Sequence, residues 1–242
     1  MAVLTFGVEL EAAYFYTIWP GEAAKANARD EDLAPVMDMS LEAIQRRNPE
    51  FPSHKFRDEG DMYAEMRSLV AETIRNFVIK LPETWRGKVI PSTDDRLQEQ
   101  YRQWVVDVDN SIKVDTMRWP EYDDLWFAPL EVQSPAMYAT PGAFREVEAV
   151  ADMLTSRFRT AVNPSCGFHV HVGFGSESFP LDTLRRLAAV CWSGDLLFQQ
   201  MHPMFRRNNE FCFGPRSKSR LGEGHKAEQY NPPSGSRPRS SA

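Results

Sequence analysis

A chain of 242 residues, 42% apolar and 12% aromatic, has material for one large folded domain. Six Trp and fifteen Phe exclude a wholly disordered protein. A net charge of −6 and the lack of any apolar run of bilayer length argue against nucleic-acid binding and against a helical membrane span.

The charge is unevenly placed. Residues 214–242 hold six Lys/Arg and two Asp/Glu, a balance of +4, which leaves −10 on residues 1–213. An acidic body suits cations, or anionic substrates delivered as metal complexes. The opening Met1-Ala-Val-Leu-Thr-Phe has no basic leader and soon meets Glu9 and Glu11, so no secretory signal is expected and the setting is read as cytoplasmic. Cys166, Cys191 and Cys212 lack CxxC spacing. They build neither a disulfide scaffold nor a zinc ribbon, which fits a reducing compartment.

In chain order, Val3–Glu9 reads as a short strand leading into a Glu-Leu-Glu pair. Residues 20–60 are hydrophilic and broken by Pro20, Pro35, Pro49 and Pro52, an excursion with a short helix near Ser40–Arg47. Met62, Met66, Leu69, Val70, Thr73, Ile74, Phe77 and Val78 recur at helical spacing and predict an amphipathic helix over Asp61–Lys80. Strands follow at Trp104–Val108 and Trp126–Gln133, the second stopped by Ser134-Pro135. A helix is expected over Gly142–Arg159, with Phe144, Val147, Val150, Ala151, Leu154 and Phe158 on one face. Phe168–Phe174 alternates strictly and predicts a half-buried strand. Its polar side carries His169 and His171, about 6.5–7 Å apart along the strand. Pro180–Met201 is a third helix, built on an apolar face of Leu181, Leu184, Leu187, Ala188 and Cys191 and weakened in its middle by Gly194. Together these give an α+β plan, one domain over 1–213 followed by a disordered basic Ser/Pro/Arg tail over 214–242.

The chemistry gathers on three of the strands. Glu9 and Glu11 share a strand face, and two adjacent carboxylates repel unless a cation or a proton intervenes. Glu131 ends another strand with Leu130 and Val132 on its opposite side. With His169 and His171 these make a carboxylate-and-imidazole set suited to Mg²⁺ or Mn²⁺ on nucleotide phosphates, and also able to hold Zn²⁺. A solvated strand face is the alternative for each pair. Asp109 and Ser111 lie just past a strand end, where turn formation is their default role. Cys166 offers a nucleophile or an extra metal ligand, although a buried thiol is usually inert. Gly173-Phe-Gly175-Ser lacks the helix and lysine of a phosphate loop, and there is no Walker A sequence.

Phe-Gly-Val-Glu-Leu-Glu at Phe6–Glu11, the Trp104-x-x-x-x-Asp109-x-Ser111 stretch, Leu130–Pro135, and Val-Asn-Pro-Ser-Cys-Gly-Phe-His-Val-His-Val-Gly at Val162–Gly173 resemble the amidoligases common in fungi. Met201–Cys212 also resembles the stretch after that family's helix. The family is similar to glutamine synthetase and gamma-glutamylcysteine ligase. The resemblance implies a glutamine-synthetase-like curved antiparallel sheet backed by helices. It implies an ATP-dependent carboxylate–amine ligase using Mg²⁺ or Mn²⁺, with γ-phosphoryl transfer to a small-molecule or peptide carboxylate and attack by an amine on the acyl phosphate. Glu9, Glu11, Glu131 and His169 would be metal ligands, with Glu9, Glu131 and His169 catalytic. His171, Asp109, Ser111, Asn163 and Arg206 would bind nucleotide or substrate. Family members continue past this region into further strands, so C-terminal strands are expected to be missing, leaving a sheet edge open to self-association and turnover in doubt. The alternatives are a Zn-dependent hydrolase using His169, His171 and a glutamate, or a non-catalytic remnant of the fold acting as a binding protein.

Overall fold

The computed structural model describes residues 4–56, 58–90, 101–113, 125–175, 177–204, 207 and 213–219. The chain divides into two compact units, Met1–Ser178 and Phe179–Ala242. The first contains β1 (Thr5–Thr17), α1 (Glu22–Arg29), β2 (Met37–Asp38), α2 (Leu41–Arg47), α3 (Glu59–Val78), β3 (Val105–Val108), β4 (Trp126–Gln133), β5 (Met137–Tyr138), α4 (Pro141–Arg157), β6 (Thr160–Ala161) and β7 (Phe168–Gly173). The second contains α5 (Leu181–Gln200) and the single turn α6 (Pro215–Lys218). The fold is α+β, a curled mixed sheet backed by helices.

β1 is the axis of the sheet. Along one edge it pairs antiparallel with β4, from Glu9 opposite Gln133 to Tyr16 opposite Trp126. Along the other it meets β7, then β6 and then β2. The β2 pairing is parallel, so the sheet is mixed rather than wholly antiparallel. β1 also runs well past the expected end at Glu9. Ala13, Tyr14, Phe15 and Tyr16 are all buried, so both faces are covered there and the period-two signal vanishes. The hydrophilic excursion holds α2 as expected, with Ser40 accepting the Ala43 N–H, but also α1 and β2.

The apolar side of the sheet carries Tyr14, Tyr16, Val106, Ala128, Leu130 and Val132 and packs on α3 and α4. α3 buries Met62, Met66, Val70 and Ile74, one residue per turn, and starts where Asp58 accepts the Asp61 N–H. In α4, Thr140 caps the helix, and Val150, Met153 and Leu154 reach the core. Phe144, expected in that core, is exposed but stacks on Phe6 at 4.8 Å. The buried Arg159 guanidinium bonds Ala34 O at 2.5 Å and Asp30 at 3.0 Å, fixing the chain between α1 and β2 beside β6.

Two expectations about burial fail. The apolar side of β7 is not half-buried, since Phe168, Val170 and Val172 are all more than half exposed. In α5, Leu181, Leu184 and Leu187 are exposed, and Asp195 is its only buried residue. Asp195 accepts the Arg216 N–H, and Arg216 bonds the Trp192 carbonyl at 2.7 Å, which seats α6 on α5. Residues 214–219, the start of the expected tail, are therefore ordered as a helical turn, and 220–242 lie outside the described residues. Among the described residues no helix is long and apolar enough to cross a membrane.

Candidate functional site

Antiparallel register decides which side chains meet. Glu9 lies opposite His169 on β7 and Gln133 on β4, and Glu11 lies opposite Glu131. Glu131 in turn lies opposite Asp107 on β3. Directly paired residues share a face, so Glu9, Glu11, Glu131, Gln133, His169 and His171 all stand on the side of the sheet away from α3 and α4. The three strands expected to converge do so.

Glu9 is the centre of the cluster. One oxygen lies 2.9 Å from His169 Nδ1 and the other 2.9 Å from His171 Nε2. Burial raises its proton affinity, but the hydrogen bonds and charges of His171 and His169 outweigh that and hold the carboxyl below the usual glutamate range. Glu11 is buried. Its Oε2 accepts the Gly167 N–H at 2.6 Å, and its Oε1 lies 3.5 Å from His169 Nε2. His169 therefore spans the two glutamates.

Glu131 behaves oppositely. Burial raises its pKa, the hydrogen bond from Gln133 at 2.9 Å opposes the shift, and the nearby charges of Glu9, Asp109 and Glu11 add to it. Among the described residues no lysine or arginine pairs with Glu9, Glu11 or Glu131. Nor do three His, Cys, Asp or Glu side chains close into a ready metal cage. The imidazoles instead occupy carboxylate oxygens directly. Still, carboxylates that oppose one another's ionisation, with only neutralisable imidazoles for company, are a donor set that fits a divalent cation.

Glu131→Gln is expected to raise the melting temperature of the metal-free protein at neutral pH. A carboxyl with a raised pKa binds its proton more tightly when folded, so it costs stability above that pKa and the cost fades as pH falls through it. The difference between variant and parent should therefore shrink on acidification. Thermal melts across a pH series in chelator check this, and a variant that melts lower at neutral pH contradicts it.

The secondary candidates are distributed as follows. Asp109 accepts both the N–H and the hydroxyl of Ser111, at 2.8 and 2.9 Å, a local turn, while its charge still reaches Glu131. Asn163 is buried and its amide joins two loops, donating to Lys113 O beyond the Asp109 turn and accepting from Ser165 N–H on its own loop at 2.8 Å. That loop ties the Asp109 turn to the start of β7. Cys166 is buried, its thiol 3.7 Å from Asn163 Oδ1. Arg206 lies outside the described residues, while Arg207 bonds the His202 and Gln200 carbonyls at the end of α5.

Three residues of the site escaped the sequence reading. Gln133 is two residues beyond Glu131, so period two alone could have placed it on the same face. Ser134 accepts the Val8 N–H at 2.9 Å and locks the exit of β4 onto β1. Gly167 leaves room for the imidazole: a Cβ there would sit 2.4 Å from His169 Nε2 and 3.0 Å from Glu11 Oε1, so the ring would have to move. A cleft of about 240 Å³ adjoins the cluster, lined by Gly7, Glu9, Tyr101, Gln133 and His171 among others.

A mixed sheet thus carries helices on one face and paired carboxylates and imidazoles on the other. The sequence profile of the family described as "putative amidoligase enzyme" matches residues 2–236, and the chain belongs to that family of ligases. The match runs beyond residue 213, through much of the basic C-terminal segment. No curated protein and no solved structure matches the chain.

Proposed function

We propose that this protein joins a carboxylate to an amine with ATP as the energy source, through an acyl phosphate, on the polar face of its sheet. The observation that carries the reading is the register that sets Glu9, Glu11, Glu131 and His169 on neighbouring strands of one face. Glu9, Glu11, Glu131 and His169 would hold Mg²⁺ or Mn²⁺. When bound, such ions neutralise phosphate charge and align the γ-phosphoryl group for transfer.

The residues of the chain contribute positioning and charge. The substrate carboxylate oxygen takes the γ-phosphoryl group, giving the acyl phosphate and ADP. The amine nitrogen then attacks the acyl carbon, the C–O bond to phosphate breaks, and the amine proton is lost as the amide forms. His171 and the cleft beside it would face nucleotide or substrate, with Asp109 and Ser111 at the neighbouring strand end. Gly167 and Gln133 would orient Glu11 and Glu131. The free thiols of Cys166 and Cys191 suit a reducing, ATP-rich cytoplasmic setting. The substrates would be a small-molecule or peptide carboxylate and an amine.

The test needs no knowledge of the amine. With MgATP and a panel of carboxylates, hydroxylamine should attack the acyl phosphate, releasing phosphate and leaving a hydroxamate that is read as its coloured iron(III) complex. MgATP should also raise the melting temperature, since a ligand at about 100 times its Kd stabilises by about 2.7 kcal/mol. No melting shift at millimolar MgATP, together with no hydroxamate from any carboxylate, refutes the reading.

A further inference from the structure

A second cavity lies behind the sheet, on the helical side. Its volume is about 250 Å³, and it opens between the end of α3, the start of β3 and α4. Val78, Ile79, Val89, Trp104 and Pro135 give it an apolar wall. Arg75, Arg86 and Arg102 also line it, and all three are exposed.

Among the described residues that line this cavity the charges do not cancel. Arg86 is committed to structure, donating to Ile79 O at 2.6 Å and Leu81 O at 3.0 Å, where it closes the end of α3. Glu146, the acid in the wall, is buried, and its two oxygens take the Gly87 N–H at 2.6 Å and the Trp104 indole N–H at 2.8 Å. Arg75 and Arg102 have no side-chain hydrogen bond or ion pair among the described residues. Among the described residues, three guanidiniums thus line the cavity against one carboxylate that is already engaged. In a protein of net charge −6 this is a local inversion of sign. A pocket with an apolar wall and unspent guanidinium donors at its mouth matches a ligand that is apolar at one end and anionic at the other.

We propose that this cavity binds a small carboxylate with a single-ring or branched apolar body, the body against Trp104 and Val78 and the carboxylate between Arg75 and Arg102. At ~30 Å³ per water the space equals about eight waters, enough for one ring and a short chain. The site is separate from the Glu9 cluster, because the sheet lies between them: Glu146 and Arg75 belong to the helices packed on its apolar side.

The probe is 4-phenylbutyrate, titrated calorimetrically into the full chain, with neutral 4-phenylbutan-1-ol as its isostere. The acid should bind saturably and shift the NMR signal of the Trp104 indole N–H. The alcohol should bind about tenfold more weakly, the worth of one charge-assisted hydrogen bond. Arg75→Gln and Arg102→Gln should each weaken the acid by a similar factor and leave the alcohol unchanged. Excess MgATP should leave its binding intact, which keeps the result independent of the catalytic proposal. The proposal is overturned by no saturable binding at millimolar acid, by equal affinity for acid and alcohol, or by competition with MgATP. The acid–alcohol comparison uses the unaltered protein, so it decides even if an arginine variant misfolds.

Discussion

Replacing Glu9 with Gln should lower acyl-phosphate trapping by about 10²–10³-fold while the protein stays folded. The size is that of removing one preorganised electrostatic group from a site where charge develops. Among the described residues Glu9 is the one side chain that touches both imidazoles, each at 2.9 Å through a different oxygen. The amide keeps the shape but loses the charge, and its NH₂ cannot accept the proton that one imidazole donates. One histidine is therefore released and the anchor for a cation is lost together. Mn²⁺ affinity should fall in parallel with turnover, whereas the melting temperature of the metal-free protein should move little because the residue is not in the core. His169→Ala should reproduce most of the loss. A Glu9→Gln protein that traps hydroxamate at the parental rate would remove Glu9 from the mechanism.

The second large effect is expected at a residue with no side chain. Gly167→Ala places a methyl 2.4 Å from His169 Nε2, closer than any real Cβ contact, and 3.0 Å from Glu11 Oε1. His169 is half exposed, so the relief is for the ring to swing away from Glu11 rather than for the sheet to open. Stability should drop by about 1 kcal/mol, the low end of overpacking costs. Trapping should fall by about 10²-fold, because a displacement of about an ångström in a reacting array is enough to do so. Gly60→Ala is the control. Its Cβ meets nothing closer than 3.4 Å in the first turn of α3, so trapping should match the parent and stability should equal or exceed it. If Gly167→Ala retains full trapping, the contact between His169 and Glu11 is dispensable.

Much of this site was legible because strands report their faces two residues at a time. His169 with His171, Glu9 with Glu11, and Glu131 between Leu130 and Val132 needed no partner to declare which side they occupy. The period of α3 likewise gave Met62, Met66, Val70 and Ile74 as core, as found. What failed did so where that local rule loses its basis. Beyond Glu11 the strand is buried on both faces, so Ala13 and Phe15 carry no polar mark and β1 looks shorter than it is. β2, β5 and β6 are two residues each and exist only because β1 offers free edges to them. The need for glycine at 167 arises from a side chain two residues on and another across the sheet, a three-body contact that spacing does not encode. Exposure of Leu184 and Val170 was equally invisible, since apolar periodicity states what a face could bury and not what covers it.

The order of strands carries a consequence for how the molecule is made. β1 leaves the ribosome before every strand it pairs with, and Glu9 must wait 160 residues for His169 to appear. At about 5–20 residues per second that interval is roughly 10–30 s. Throughout it the strand to which β2, β4, β5, β6 and β7 will all attach has one or both rows of backbone donors and acceptors unclaimed. The nascent chain thus carries its most adhesive segment long before the partners of that segment exist, and its yield in a cell should depend on what shields β1 until synthesis reaches the histidines.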